Sequence, residues 1–305
     1  MVPAPARALG VDRRWLDRYK PRVTRGLRNL GAALLLLTAC TSATPRTPAT
    51  SAQRIVSLAP ALTAIITQLG AVDRLVGVTR FCTTPPGSHI AIVGDLEPQP
   101  EAVLAAEPDL VVMARYGSQA NVAAKLGALG LTVRAWPLDS MAEMWTATTE
   151  LGQLVGAEER ARSLHAAFDA AAARARARAT ARGHTLKVLL VYDVQPGVVL
   201  TTGGGDHLAD LLALEGADNI AAPGPVTARL GLEEVLARAP DVILHAARDT
   251  RFPDDAAARR YWSAFPELPA VKHGKVFVWP DDGLAQNGPH LTAVLDRLGT
   301  LLDAP

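Results

Sequence analysis

The residues of this chain that could carry out chemistry form no recognised catalytic or metal-binding motif. Its seven histidines contain no H-x-x-x-H spacing, and there is no C-x-x-C pair. The glycine run TGGGD at 202–206 could bind an anion ahead of a helix. However, it lacks the Lys-Ser/Thr of a P-loop and the G-x-G-x-x-G spacing, and no G-x-S-x-G elbow is present. The sequence therefore predicts a protein that is not an enzyme, has no intrinsic cofactor and holds no metal directly.

Composition and charge narrow the class of protein further. The 305 residues carry a formal net charge of +1, and 49% of them are hydrophobic. This is the composition of a globular chain without the basic excess of a nucleic-acid-binding protein. After residue 40 the sequence has a single cysteine, Cys82, so no internal disulfide can form there. We interpret Cys82 as a small core residue rather than a nucleophile or a ligand.

The first 40 residues have the pattern of a targeting segment. A basic stretch over 13–28 precedes an apolar run over 30–39, and Cys40 follows directly. The run has about half of the roughly 20 residues that a transmembrane helix needs. The residues LTAC at 37–40 resemble a bacterial lipobox. We predict a signal peptide over 1–39, lipidation of Cys40 and a flexible tether over 40–52, with an ordinary cleaved signal as the alternative.

Beyond the tether, short apolar runs alternate with helical patterns. This alternation is typical of an α/β protein with parallel sheets. It is interrupted at 141–182, where only Gly152 and Gly156 could break a helix. The sequence therefore predicts two Rossmann-like lobes with small parallel sheets, over 53–155 and 184–305, joined by one long backbone α-helix over 156–183. The arginines over 174–182 are interpreted as a solvated helix surface, since 100° per residue separates Arg174 from Arg176 by about 200°.

An internal echo supports two lobes. The segments PEAVLAAEPDLVVM at 100–113 and LEEVLARAPDVILH at 232–245 are identical at six of fourteen positions. Each predicts a short helix, a Pro-Asp turn and a buried strand. The echo puts Glu101 and Glu233 at equivalent points on the two lobes. A carboxylate in the first turn of a helix also offsets the helix dipole, which is the purely structural alternative for both.

Several segments resemble one known family. They include RIVSLAPALTAIITQLGAVDRLVGVT at 54–79, the pair Pro85-Pro86, GADNI at 216–220 and LPAVKHGKVFVWP at 268–280. Together with the two echo segments, they are similar to the class III, helical-backbone substrate-binding proteins of cobalamin, iron-siderophore and haem ABC importers. The resemblance extends from about residue 53 to the C-terminus and agrees with the two-lobed interpretation.

The resemblance implies a monomer outside the cytoplasm that binds a bulky metal chelate between its lobes. Its implied partners are a membrane permease dimer with ATPase subunits, docked through Glu101 and Glu233, and the membrane itself through the lipid anchor. The ligand stays open among cobalamin, a ferric siderophore and haem. The residues that the resemblance assigns to the ligand cleft are Pro60, Ala61, Arg80, Phe81, Arg115, Tyr116, Arg229, Asp282 and Gln286.

The cleft departs from the cobalamin-binding pattern. Asp95, Ala114 and Thr227 stand where such proteins can carry tryptophan, and Ala64 replaces a usual glutamate. The aromatic face of Phe81 suits a flat macrocycle, although a core position is the alternative.

The cleft's polar residues leave the ligand open. Arg80, Arg115 and Arg229 could instead bind carboxylates of a siderophore or of haem propionates, or be solvated loop charges. Tyr116 could be a haem ligand, with an amphipathic surface residue on a loop as the alternative. An enzyme and a scaffolding lipoprotein remain the competing functions.

Overall fold

The computed structural model describes residues 51–304 except 96, 116–118, 247–250, 282 and 285. The predicted signal peptide, Cys40 and most of the tether therefore lie outside the described residues. The strands are β1 (Ile55–Ser57), β2 (Leu75–Val78), β3 (Ala91–Ile92), β4 (Leu110–Ala114), β5 (Val133–Trp136), β6 (Leu186–Val191), β7 (Asp193–Gln195), β8 (Val198–Thr201), β9 (Ala217–Asn219), β10 (Ala228–Gly231), β11 (Val242–His245) and β12 (Val276–Val278). The helices are α1 (Pro60–Gln68), α2 (Pro100–Ala105), α3 (Gln119–Ala128), α4 (Met141–Val155), α5 (Glu158–Arg182), α6 (His207–Leu214), α7 (Leu232–Arg238), α8 (Asp255–Trp262), α9 (Pro269–Lys272) and α10 (Leu291–Leu302).

The strands form two parallel sheets, one in each lobe. The first lobe has the order β3-β2-β1-β4-β5 and the second has the order β12-β11-β6-β9. A small antiparallel sheet, β10-β8-β7, belongs to the second lobe. The predicted α/β class with two small parallel sheets is confirmed. The echo is confirmed as well, because α2 leads into β4 and α7 leads into β11 through equivalent Pro-Asp turns.

The long predicted helix is α5, and it is separated from α4 at Gly156. Helix α4 starts with a capping box, in which Ser140 Oγ accepts from Glu143 N and Glu143 Oε2 accepts from Ser140 N. It ends because Gly156 adopts φ 66° and ψ 37°, a left-handed conformation that glycine adopts without the steric cost of a side chain. Helix α5 then continues for 25 residues to Gly183.

One continuous apolar cluster connects the two lobes. It contains Ile55 and Val112 of the first sheet, Val188 and Leu244 of the second, and buried residues of α1, α4, α5, α6 and α10. The residues on the opposite faces of the strands, such as Val56 and Leu189, belong to two separate clusters. This division follows from the alternation of side chains along a strand. Each sheet is thus buried on both faces, and the inner faces share a single core.

Small residues let α5 approach its neighbours closely. Its buried positions are Ala161, Ala171, Ala172, Ala175 and the aromatic Phe168. Helix α5 packs against α4 on one side and α10 on the other. Helix α5, which connects the lobes, is therefore buried in the core along one face and polar along the other.

Three arginines of α5 form a row of ion pairs. The prediction of a solvated arginine surface holds for Arg174, whose side chain is 52% exposed, and is wrong for Arg178 and Arg182, whose side chains are 25% and 7% exposed. The three residues share one helix face because they stand at positions i, i+4 and i+8. Nε and Nη2 of Arg174 donate to the Asp296 carboxylate at 3.1 and 2.6 Å. Nε of Arg182 donates to Asp303 Oδ1 at 2.9 Å. The row ties the outer side of α5 to α10.

The central pair of this row is the most buried. Glu215 is 0% exposed, and Arg178 donates to both of its carboxylate oxygens, with Nε 3.3 Å from Oε2. The guanidinium passes α10 at Gly299, where a Cβ would lie 2.5 Å from Arg178 Cζ. At the row's other end, the Arg174 hydrogen bonds lower the pKa of Asp296 below its ordinary value. That pair therefore stabilises the fold above a pH of about 4, and its contribution is lost as the pH falls further.

We predict that Glu215→Gln destabilises the protein by about 3 kcal/mol, because it removes one charge of a buried pair. For a domain of this size the melting temperature should fall by about 6–12 °C, which differential scanning calorimetry would measure. The matched control is Glu159→Gln on α5, the helix that carries Arg178. Glu159 pairs with Arg162 at 2.5 Å, but both side chains are largely exposed, so its loss should cost less than about 1 kcal/mol. Equal shifts for the two variants would contradict this account of Glu215.

Candidate functional site

The predicted ligand residues of the first lobe meet at one edge of its sheet. Strands β2, β1 and β4 are adjacent and parallel, so the loops after them share the carboxyl edge, where α/β sheets bind ligands. Pro60 and Ala61 begin α1 directly after β1, Arg80 and Phe81 follow β2, and Arg115 follows β4. Tyr116 lies outside the described residues. The structure thus brings together five residues from three separate segments.

The side chains at this edge differ in their exposure and in whether they already have a binding partner. Nε of Arg80 lies 2.9 Å from Asp95 Oδ1 in an exposed ion pair. Arg115 is exposed, and its side chain has no hydrogen bond or ion pair within the described ranges. Phe81 is 53% exposed, which removes the alternative that it is a core residue. Pro60 is partly buried, as is its neighbour Ala61. The first lobe therefore presents an aromatic face beside one cation that is paired and one that is not.

The predicted residues of the second lobe are more scattered. Gln286 lies in the loop between β12 and α10, and Asp282 in the same loop is outside the described residues. The prediction that Arg229 lies in a loop is wrong, because it is on β10, paired antiparallel with Leu200 of β8. Its Nη2 donates to Gln195 Oε1 at 3.0 Å. The strand was missed because its alternation extends over only four residues, ARLG, which is too short to stand out in the sequence.

A cavity of about 540 Å³ opens between the two lobes. Among the predicted residues that the structure describes, Gln286 alone lines it. Thr83 contributes from the loop after β2, and the remaining lining comes from the second lobe. The lining residues are Thr83, Trp279, Asp281, Gly283, Gln286, His290, Ala293, Val294 and Arg297. The volume is in the range of sites that enclose small-molecule ligands, about 300–1,000 Å³.

The wall of this cavity is a network around Trp279, which sequence reasoning missed. Trp279 Nε1 donates to Asp281 Oδ1 at 3.1 Å, and Gly283 N donates to the same oxygen at 2.8 Å. His290 Nε2 donates to Gly283 O at 2.8 Å. The Arg297 guanidinium lies over the indole, with Cζ 4.9 Å from the ring centroid. The one sequence signal was that Trp279 ends the apolar run VFVW at 276–279, and side chains at strand ends line α/β ligand sites.

Hydrogen bonds between the lobes fix the loop beside the cavity. Asn287 Nδ2 donates to Leu138 O at 2.9 Å and to Ser140 O at 3.2 Å. From α6, His207 N donates to Asp139 O at 2.9 Å. His207 Nε2 also donates to Leu284 O at 3.1 Å, and burial lowers the pKa of this imidazole. A neutral His207 therefore joins the cavity loop to the start of α6.

The glycine run at 202–206 bends into α6 and is not an open anion site. Asp206 caps α6, its Oδ1 accepting from Ala209 N at 3.0 Å, so the protein's own carboxylate occupies that helix terminus. In the described part of the chain, no cluster of three or more His, Cys, Asp or Glu side chains could hold a metal ion. Within the same ranges, no helix has both the length and the apolar character needed to cross a bilayer.

Glu101 and Glu233 are both exposed at the surface. Glu101 lies in the first turn of α2 and Glu233 in the first turn of α7. Among the described residues, neither carboxylate has a hydrogen-bond or ion-pair partner. By contrast, the adjacent Glu234 pairs with Arg238 on the same helix. The two lobes thus carry one unpaired acidic side chain each at equivalent positions.

Comparison with known proteins assigns the chain to a family. It is 27% identical over 252 residues to the uncharacterized ABC transporter substrate-binding lipoprotein YvrC of Bacillus subtilis, covering 81% of this chain and 78% of the relative. It is 28% identical over 245 residues to a vitamin B12-binding protein of Yersinia pestis, covering 78% and 81%. The periplasmic haem-binding protein HutB of Vibrio cholerae shares the fold, with a TM-score of 0.70, 21% identity and coverage of 83% and 99%. The model of the family described as periplasmic binding protein matches residues 55–282, more than half of the chain, and the protein therefore belongs to this family.

Proposed function

We propose that this protein captures a bulky metal chelate between its lobes outside the cytoplasm and delivers it to the permease of an ABC importer. The observation that carries the proposal is the cavity of about 540 Å³, which is lined by residues of both lobes. Membership of the periplasmic binding protein family supports capture rather than turnover. Relatives named for vitamin B12 and a fold neighbour named for haem support a chelate as the cargo.

The shape of the site supports this class of ligand. Phe81 offers an exposed aromatic face at the edge of the first sheet, and such a face stacks well on a flat or conjugated ligand. Because no described cluster of side chains could hold a metal ion directly, a metal would be bound as part of its chelate. Cobalamin, a ferric siderophore and haem all meet this condition.

We predict that at least one member of a panel of cyanocobalamin, haemin, ferrichrome and ferric citrate raises the melting temperature. A ligand at 100 times its dissociation constant contributes about 2.7 kcal/mol, which corresponds to about 5–11 °C for a domain of this size. Thermal denaturation followed by intrinsic fluorescence or circular dichroism would measure the shift. Maltose at the same concentration is the control and should give none. Absence of a shift with every chelate would favour a scaffolding lipoprotein instead.

We further propose that Glu101 and Glu233 dock the permease. A homodimeric permease offers two equivalent surfaces, so a partner with one unpaired carboxylate per lobe can engage both. Such charges mainly set orientation and association rate. The first-turn positions of both residues also fit a helix-dipole role, which predicts an effect on stability but not on transport.

The double variant Glu101→Arg, Glu233→Arg should lower uptake by reconstituted importer at least about tenfold, because like charges then face each other. The chelate identified by thermal shift should still bind with unchanged affinity. The matched control is Asp73→Arg, Glu267→Arg, which reverses one exposed acidic residue in each lobe at other sites. Normal uptake by the Glu101/Glu233 variant would contradict the docking role.

We also propose that Cys40 carries the lipid that holds the protein at the membrane. The lipobox pattern supports this, and the Bacillus subtilis relative is itself named a lipoprotein. In the native host, Cys40→Ser should abolish palmitate incorporation and release the protein from the membrane fraction. Cys82→Ser is the control, because Cys82 is a partly buried residue of the first lobe, and it should stay membrane-bound. Membrane association of both variants would exclude anchoring through Cys40.

A further inference from the structure

The side chain of Arg297 is held over an aromatic ring at the cavity between the lobes. Arg297 is on α10, and its Cζ lies 4.9 Å from the ring centroid of Trp279. A guanidinium stacked on an indole keeps its N–H donors in the plane of the stack, where they remain free to bind another group. We propose that Arg297 is an anchor for a carboxylate of the cargo. This inference rests on the proposed function and assigns its ligand to the carboxylate-bearing chelates.

Arg297 differs from the arginines of the α5 row in having no carboxylate partner. Within the described part of the chain, its side chain makes no hydrogen bond and no ion pair. The neighbouring residue, Asp296, is already bound by Arg174, with Nη2 of Arg174 2.6 Å from Oδ2, and lies 3.6 Å from Arg178 Nη1. Asp296, the acidic residue of α10, is thus bound by the α5 row, and the guanidinium of Arg297 remains available to a ligand in the cavity.

The surface beneath the guanidinium is rigid. Trp279 is 2% exposed, and its ring is oriented by the hydrogen bond from Nε1 to Asp281 Oδ1 at 3.1 Å. Gly283 N donates to the same oxygen at 2.8 Å, which fixes Asp281 in turn. A cation held on such a support loses little conformational freedom when it binds an anion. The geometry is therefore prepared before the ligand arrives.

The rest of the lining suits one planar anion. Asp281 is the acidic side chain of the described lining, and its Oδ1 already accepts two hydrogen bonds. Thr83 and Gln286 add neutral donors from the two lobes. A carboxylate matches the fork of a guanidinium through two parallel hydrogen bonds. The cavity should thus prefer a chelate with a carboxylate edge over one whose periphery is neutral.

The decisive experiment compares wild type with Arg297→Gln on matched ligands. Haemin, with two propionates, is paired with haemin dimethyl ester, and ferric citrate is paired with ferrichrome, which lacks carboxylates. Cyanocobalamin supplies a phosphodiester in place of a carboxylate. We expect the variant to bind haemin or ferric citrate about 10- to 100-fold more weakly, the range for a lost charge-assisted hydrogen bond. Binding of the ester and of ferrichrome should be unchanged.

Two controls separate charge from folding. Arg162→Gln removes an exposed arginine of α5 and should leave every dissociation constant unchanged. Arg297→Lys keeps the charge without the fork and should fall between wild type and Arg297→Gln. Melting temperatures of all the variants should agree within a few degrees, since Arg297 is exposed. A phosphodiester site is indicated instead if only cyanocobalamin binding depends on Arg297, and that result would overturn the carboxylate assignment.

Metal-free citrate tests the anchor independently of any chelate. In ¹H–¹⁵N spectra, citrate should shift the indole N–H resonance of Trp279, assigned with Trp279→Phe, in wild type but not in Arg297→Gln. If no chelate binds but this shift depends on Arg297, the anchor stands and the proposed function fails. If chelates and citrate act equally on both proteins, the function stands and the anchor is overturned. If wild type responds to no probe, both are overturned.

Discussion

The apolar core shared by the two lobes is the constraint on which the rest of the structure depends. It passes from Ile55 and Val112 of the first sheet through α4, α5 and α10 to Val188 and Leu244 of the second. Protein interiors are close-packed, and exposing apolar surface costs about 25 cal/mol per Å². A large rotation of one lobe against the other would open this core. Ligand capture is therefore confined to the loops at the sheet edges and to side chains such as Phe81.

The two faces of α5 make this connection rigid in different ways. One face packs through alanines, which bring α4 and α10 close. The other carries the arginine row, whose central carboxylate, Glu215, is inaccessible to solvent. A buried ion pair is weak evidence for added stability, but it is geometrically demanding, because either charge alone is costly. The pair of Arg178 with Glu215 thus specifies how α5 sits against the end of α6, while the alanines supply the close contact with α4 and α10.

The sequence predicted the elements well because their signals are local. Buried strands such as β4 are continuous apolar runs, and Gly156 and Gly183 mark the ends of α4 and α5. The echo placed Glu101 and Glu233 on matching helices. The predictions that were wrong concerned contacts between residues distant in sequence, or very short strands. The row on α5 was missed because Arg174 was compared with its neighbour two residues away, and because Glu215 lies 37 residues beyond Arg178.

The cavity could not be predicted for the same reason. Trp279 and Arg297 are 18 residues apart in sequence and belong to a strand end and a helix. They meet only because α10 packs along α5 and folds back past the loop after β12. Periodicity identifies which face of α10 is buried, but it does not say which exposed residue reaches across to an aromatic ring. The predicted edge of the first sheet, by contrast, needed only the rule that parallel strands share a carboxyl edge.

The pairing of the arginines bears on which ligands the cavity selects. The arginines that stabilise the packing of α5, such as Arg174 and Arg178, form ion pairs with carboxylates on neighbouring elements. Arg297 lies one residue from Asp296 yet lines the cavity, and its side chain has no carboxylate partner among the residues that the structure describes. A rigid fold increases the contribution of such a cation to the binding free energy, because little conformational entropy is lost in ordering the side chain. Selectivity among chelates of similar size then depends on the groups that each chelate presents to the Arg297 guanidinium. The rigid core holds that guanidinium in one position.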